Sequence, residues 1–498
     1  MNTMDEMGMD FGQWVTVPMC DRTVTTEVTG EFTLPDYRCE LRRVLSVTPT
    51  VLPPAKYVGS GRVELNGTVD YLLLYVGSDG ELYSVPLSSE YNAQIPLEQM
   101  DAVDAGSGVS VLATPVCESV STRVSAPRKL SVRCRLRTHV CAYGRTPIEE
   151  QLRGEASPES LRRRTEETAC MSAAAGTSDP ISVSTELVGL GEDVRVVSAA
   201  AEPFVTQTRM GDGTVEASGE LMLKLLVARE SGALETVTRK LPFEGEIDLP
   251  EAMSDGACRV SGVVSDLSVQ VEEGRVVCDA ELLLMARCMR NFPVRYTADL
   301  YSTERESRCE VEELRLPVAL RCENGNVSQS ERIALSELTL PEGCTVIDAW
   351  GTAMMDGCET VGNRYVLTGQ SRYALLCESD GEYSVSEVTL PLRYETEGMG
   401  EEPVCFDAEA RVIACRARVE GENLCLDAEI AMVYDFVGEE RISPVSVAEL
   451  GALTERRSGR MTVYYPADGE SEWDVAKKYH VDLASLTQKQ GVCAYYFF

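Results

Sequence analysis

Histidine and tryptophan are scarce in this chain of 498 residues, which holds only His139 and His480, and Trp14, Trp350 and Trp473. So little histidine removes most of the usual proton-transfer chemistry. No C-x-x-C pair occurs, so the spacing of a zinc site is missing, and no metal or cofactor is expected. No run approaches the ~20 apolar residues of a membrane span. Basic residues are in deficit, with 46 Lys and Arg against 80 Asp and Glu and a formal net charge of −34. Phosphate backbones and anionic lipid surfaces both need a basic face, so nucleic acid and direct membrane adhesion are excluded. The opening stretch carries Asp5, Glu6 and Asp10 where an export signal needs positive charge and then an apolar run. A soluble, unexported protein is expected.

Hydrophobic residues at 44% and charged residues at 25% are ordinary globular values. The length suggests about three domains of roughly 150 residues. The 18 cysteines read as reduced thiols, because a chain this long builds cores without staples. Cys134, Cys278 and Cys377 lie in apolar, strand-like runs, where cysteine acts as a small hydrophobe. Cys405, Cys415 and Cys425 recur every ten residues and read as matching positions on successive strands, in preference to a metal or redox group.

Three segments share one pattern: GRVELNGTVDYLLLYVGSDGELYSVPLSSEY from Gly61, GTVEASGELMLKLLVARESGALETVTRKLPF from Gly213, and NRYVLTGQSRYALLCESDGEYSVSEVTLPLRY from Asn363. In each a glycine (Gly67, Gly219, Gly369) precedes an apolar run, and a turn follows at Asp79-Gly80, Ser231-Gly232 or Asp380-Gly381. These are β-hairpin signals. The glycines are 152 and 150 residues apart, so the period is a whole domain. A second strand-rich half follows each, with turns at Glu272-Glu273-Gly274 and Glu420-Gly421-Glu422-Asn423 in the later two. Val132, Cys134 and Leu136 alternate with Arg133, Arg135 and Arg137, as half-buried antiparallel strands do. Ile413, Cys415, Ala417 and Val419 alternate less cleanly with Ala414, Arg416 and Arg418. Helical signals are few, and the best is a polar connector at residues 146–171.

The last forty residues differ. Met461 to Tyr465 reads as a short strand, Ser471 and Asp474 as a capping box, and Val475, Ala476 and Tyr479 as the apolar face of one helix. Asp482 caps a second short helix carrying Leu483 and Leu486. So small a core does little by itself.

The string Y-x-x-x-x-G-E-S-x-W-D-V-A-K-K-Y-H-V-x-x-x-x-L, from Tyr464 to Leu486, resembles a LysM domain. The upstream repeats, with G-x-x-x-Y-L-L-L-Y-x-x-x-D-G-E in the first, resemble the SPOCS domains of clostridial sporulation proteins. Together they resemble the SipL-like family of spore-coat morphogenetic proteins. The resemblance implies a mainly β chain of three tandem, sandwich-like antiparallel repeats and a small α+β LysM module. Its expected divisions are an N-terminal extension (1–19), repeats at 20–145, 176–303 and 304–440, a connecting segment (146–175), a linker (441–458) and the module (459–498). The resemblance implies a non-enzymatic scaffold in the mother-cell cytoplasm at the forespore surface. Its LysM module docks onto the coat morphogenetic ATPase, and further coat proteins are partners. The expected partner-binding surface is Asp468, Gly469, Glu470, Ser471, Trp473 and Tyr479.

Departures from the LysM pattern are Glu472 at a core leucine position, Gln490 at an asparagine position, and GVCAYYFF in place of the closing loop and strand. They imply an atypical or truncated C-terminus and argue against sugar binding, although the terminal aromatics can still pair with residues 461–465. The alternative function is a cell-envelope protein that binds peptidoglycan, an N-acetylglucosamine polymer. No catalytic constellation stands out. His139 is read as a side chain alternating in a sheet, in preference to one half of a Cys–His dyad. Gly59-Ser60-Gly61 lacks the rest of a phosphate loop, and Glu272-Glu273 and Glu310–Glu313 lack a calcium-loop pattern.

Overall fold

Long antiparallel strands dominate the computed structural model, which describes residues 14–98, 108–155, 157–190, 194–229, 232–250, 253, 255–272, 274–340, 343–400, 402–454, 463–489 and 495–497. Ser231, Glu273, Met461, Gln490 and the acidic opening stretch lie outside the described residues. Among the described residues no helix is long and apolar enough to cross a membrane.

The first group of strands is β1 (Trp14–Thr33), β2 (Leu41–Val51), β3 (Ala55–Gly59), β4 (Arg62–Gly77), β5 (Leu82–Pro96), β6 (Ser110–Ala126) and β7 (Lys129–Pro147), followed by the short β8 (Gln151–Arg153). The second is β9 (Leu161–Thr177), β10 (Ile181–Leu187), β11 (Arg195–Met210), β12 (Thr214–Ala228), β13 (Leu234–Asp248), β14 (Ala257–Glu272) and the long β15 (Arg275–Ser302). The third is β16 (Arg305–Val311), β17 (Leu314–Ala334), β18 (Thr345–Thr360), β19 (Arg364–Ser379), β20 (Glu382–Glu397), β21 (Cys405–Glu420), β22 (Asn423–Ile442) and β23 (Val445–Leu453).

Each group contributes two sheets. One has the order β1-β7-β6, or β17-β22-β21, or β14-β15 with β10 and β9 lining successive halves of β15. The other has the order β2-β4-β5 (with β3 also on β4), β11-β12-β13 or β18-β19-β20. Local chemistry explains these elements. Val132, Cys134 and Leu136 are fully buried while Arg133 and Arg135 are exposed, so the alternation in β7 is a core face and a wet face. Asp380 (φ 52°) and Gly381 (φ 75°) are both left-handed, as the turn of the β19–β20 hairpin requires. Gly219 and Gly369 lie beside bulges at Thr206 and Asp356 on the neighbouring strand. A Cβ there would run into the carbonyl oxygens of Phe204 and Met354, and at Gly67 it would run into the Tyr91 ring.

The groups share their centre. Each sheet pair encloses its own core, but three further clusters draw on all three groups. Leu112, Cys141 and Tyr143 meet Met171, Ala173 and Met289, and then Cys322 and Val437. Val15 and Val17 meet Cys170 and Val294, then Leu316 and Ile442. Leu74, Val76 and Leu82 meet Val197, Leu226, Ala228 and Leu376.

Several expectations are corrected. The polar stretch read as helical instead holds the end of β7, β8, a 3-10 turn at Pro158–Ser160 and the first part of β9, whose Glu166 and Glu167 face Tyr296 and Arg295 of β15 across the ladder. Residues 445–453, within the stretch read as a linker, form β23, which pairs with β16 and β8. Val15, Val17 and Met19, placed in an N-terminal extension, are buried residues of β1. Cys405 and Cys415 lie on one strand, β21, and only Cys425 lies on the next. Successive strands would need to be near ten residues long, and β21 alone has 16. A bulge at Ile413 shifts the phase of β21, which is why its alternation reads poorly. Gly59-Ser60-Gly61 is the β3–β4 turn, with Ser60 and Gly61 left-handed.

Candidate functional site

The C-terminal module is β24 (Val463–Tyr464), α1 (Glu472–Tyr479), a 3-10 turn at Leu483–Ser485, β25 (Thr487–Lys489) and β26 (Tyr495–Phe497). β26 pairs with both β24 and β25, so the terminal aromatic segment does pair back onto the strand before the helix. Ser471 caps α1 in a capping box with Asp474, and left-handed His480 ends it. Asp482 caps the turn that follows through the Ala484 N–H.

The residues expected to bind a partner divide into two sets. Asp468, Gly469 and Ser471 are exposed, and Gly469 is left-handed. Glu470 is half-buried, because its carboxylate accepts hydrogen bonds from Tyr464 (2.7 Å) and the Ala467 N–H (3.0 Å). Tyr479 packs edge-on against Tyr464, with ring centroids 5.3 Å apart. Glu472, at the core leucine position, is exposed. Trp473 points the other way and is only 8% exposed.

The end of β15 covers Trp473. Its indole stands edge-on against fully buried Tyr301 at 4.9 Å and donates to Asp299 at 2.8 Å. Lys477 also donates to Asp299, at 2.6 Å, and Arg164 of β9 lies 5.9 Å from the indole centroid. The Tyr301 hydroxyl donates to the Val481 carbonyl, His480 Nδ1 lies 2.9 Å from the Ser302 carbonyl, and Arg162 pairs with Asp482 at 2.5 Å. Trp473 and Ala476, with Val481, Leu483 and Leu486 beside them, share one cluster with Tyr301. A core too small to stand alone is completed by the β body. Burial raises the pKa of Asp299, but the hydrogen bonds from Lys477 and Trp473 outweigh it and hold the carboxyl below its ordinary 3.8.

Sequence reasoning missed Asp299, Tyr301, Arg162 and Arg164. They follow or oppose a bulge at Ala298 and lie far from α1 in the chain, and the only local signal was the rare tryptophan itself.

His139 lies in β7, as its strand-like run implied, and its ring meets side chains of β1 and β21. Its Nε2 lies 2.8 Å from Asp21 and 3.5 Å from the Cys141 sulfur, and its Nδ1 lies 3.4 Å from Asp407. Burial disfavours the imidazolium, but the two carboxylates outweigh this and push its pKa up to about 12. Asp407 belongs to a buried network. Arg259 reaches Asp407 at 2.6 Å and Asp435 at 2.8 Å, Arg287 reaches them at 2.7 and 2.9 Å, and Thr114 also donates to Asp407. Burial raises the Asp407 pKa, yet the guanidiniums of Arg287 and Arg259 hold it well below the usual carboxylate range. The β6, β14, β15, β21 and β22 strands are tied together at this point.

A family model described as SipL, SPOCS domain, matches residues 194–272. That stretch runs from the start of β11 through β14. No curated protein and no solved structure matches. Over this stretch the chain is similar to the SPOCS domain of SipL, which points to a sporulation-related, SipL-like protein.

Proposed function

We propose that the chain is a non-enzymatic scaffold of spore-coat assembly whose C-terminal, LysM-like module docks onto the coat morphogenetic ATPase at the forespore surface. The observation that carries this reading is the SPOCS match over residues 194–272. The β2–β6 and β18–β21 segments repeat the strand order of the matched β11–β14 segment, so the reading extends to three SPOCS-like repeats. The strand–helix–turn–strand order of the module, with its capping box, supports the LysM-like assignment.

In this reading Trp473 positions the module against β15, and the opposite face, with Tyr465 at 63% exposure, Asp468, Gly469 and Ser471, meets the partner. Exposed aromatic and charged groups on a rigid support suit a protein interface. The net charge of −34 keeps the chain off the anionic forespore membrane unless a partner carries it there.

The test is a pull-down of the coat ATPase by the full chain, by a chain lacking residues 459–498, and by the pair Tyr465→Ala/Asp468→Lys. Loss of capture with the truncation and a weakening of roughly tenfold or more with the pair are expected. Undiminished capture by the truncated chain refutes the docking. Saturable binding of chitin oligomers by the full chain, lost with the truncation, would instead favour the peptidoglycan-binding function.

A further inference from the structure

We propose that Asp21, His139, Cys141 and Cys405 form a tetrahedral site for one zinc ion, which clamps β1 and β7 of the first strand group to β21 of the third. One donor atom from each of the four lies within 4.8 Å of all the others. With Zn–S near 2.3 Å and Zn–N and Zn–O near 2.0 Å, tetrahedral ligand atoms stand roughly 3.3–3.8 Å apart. The Cys141 and Cys405 sulfurs are 3.6 Å apart, Cys141 is 3.5 Å from His139 Nε2, and Cys141 is 3.9 Å from the Asp21 carboxylate. Of these four pairs, His139–Asp21, at 2.8 Å, has to open.

The surroundings are those of a metal-binding histidine. Asp407, itself buried, faces the far ring nitrogen at 3.4 Å, and such a carboxylate fixes the tautomer and orients the ring. Two thiolates select zinc over magnesium or calcium. Buried Arg259 and Arg287, both paired with Asp407, set positive charge beside a ligand set richer in negative charge than the ion. Asp21 is 47% exposed, so an ion reaches the cluster from that side. Four protein ligands fill the tetrahedron, which is the pattern of a structural site and leaves no open position for catalysis. Binding replaces the Nε2 proton of His139 and those of the two thiols, and these pass to solvent. Ligands drawn from three strands escape any motif search, which explains why the sequence shows no zinc-ligand spacing. This inference does not depend on the proposed function.

The experiment uses the full chain, kept reduced with a phosphine, stripped of metal and titrated with Co²⁺. Expected are saturation at one ion per chain, a thiolate-to-cobalt charge-transfer band with tetrahedral visible bands, and their loss when Zn²⁺ is added. Cys141→Ser and Cys405→Ser should each reduce the charge-transfer band, and Asp21→Asn should weaken binding by roughly tenfold or more. Cys415→Ser, on the same strand but outside the cluster, should change nothing. Circular dichroism establishes that each variant is folded, and the exposed Asp21→Asn change carries the test if a cysteine variant is not. The proposal is overturned if no charge-transfer band forms, if the band is undiminished in folded Cys141→Ser and Cys405→Ser, or if Asp21→Asn binds unchanged.

Discussion

Arg287→Ala is expected to lower stability by roughly 3–5 kcal/mol, the usual cost of leaving one half of a buried ion pair without its partner. Arg287 holds both Asp407 and Asp435, each almost wholly buried, and its loss leaves Arg259, with His139 beside Asp407, to balance two carboxylates. The loss also strips a donor from Thr114 of β6. Denaturant melts of the wild type, Arg287→Ala and Arg287→Met/Asp435→Leu would check this. The single variant should unfold at much lower denaturant. The double variant should recover a large part of the loss, because apolar groups of similar volume leave no uncompensated charge. Acid should mimic the single variant. The folded pKa of Asp407 lies below its ordinary 3.8, so its contribution is complete above that value and fades as the pH falls through the folded one. Equal melts for the wild type and Arg287→Ala would show that the network is not what joins the strand groups.

Trp473→Ala should release the C-terminal module and leave the β body intact. Truncating a buried tryptophan costs about 3–5 kcal/mol, and each 1.4 kcal/mol is a factor of ten in the opening equilibrium. Hydrogen exchange within α1 should therefore quicken by a hundredfold or more, while amides of β7, β15 and β22 keep their protection. Trp473→Phe retains a ring against Tyr301 but loses the bond to Asp299, and a smaller effect of roughly 1–3 kcal/mol follows. If α1 exchanges at the wild-type rate in Trp473→Ala, the Tyr301 contact is not what holds the module.

Much of the fold was legible where the signal was local. The Asp79-Gly80 and Asp380-Gly381 turns, the Arg-interleaved face of β7, and the Ser471–Asp474 capping box each depend on residues within a few positions of one another. β9 was not legible, because LRRRTEETACM satisfies its polar side chains across the ladder with β15 and shows no apolar alternation of its own. Strand alternation also lost its phase at the bulges of β21 and β15. The site shows the same division. The turn at Asp468–Ser471 depends on neighbouring residues, whereas the burial of Trp473 depends on Asp299 and Tyr301, which only the fold brings near. His139 was read as an ordinary sheet residue because Asp21, Cys405 and Asp407 come from other strands.

The central claim is that the module meets its partner with the face turned away from β15. Hydrogen exchange of the full chain, measured alone and bound to the coat ATPase, tests it most directly. The prediction is new protection over residues 464–471, with α1 and the end of β15 as protected as before. Protection confined to the β body, or faster exchange in α1 as Trp473 leaves Tyr301 for the partner, would contradict it.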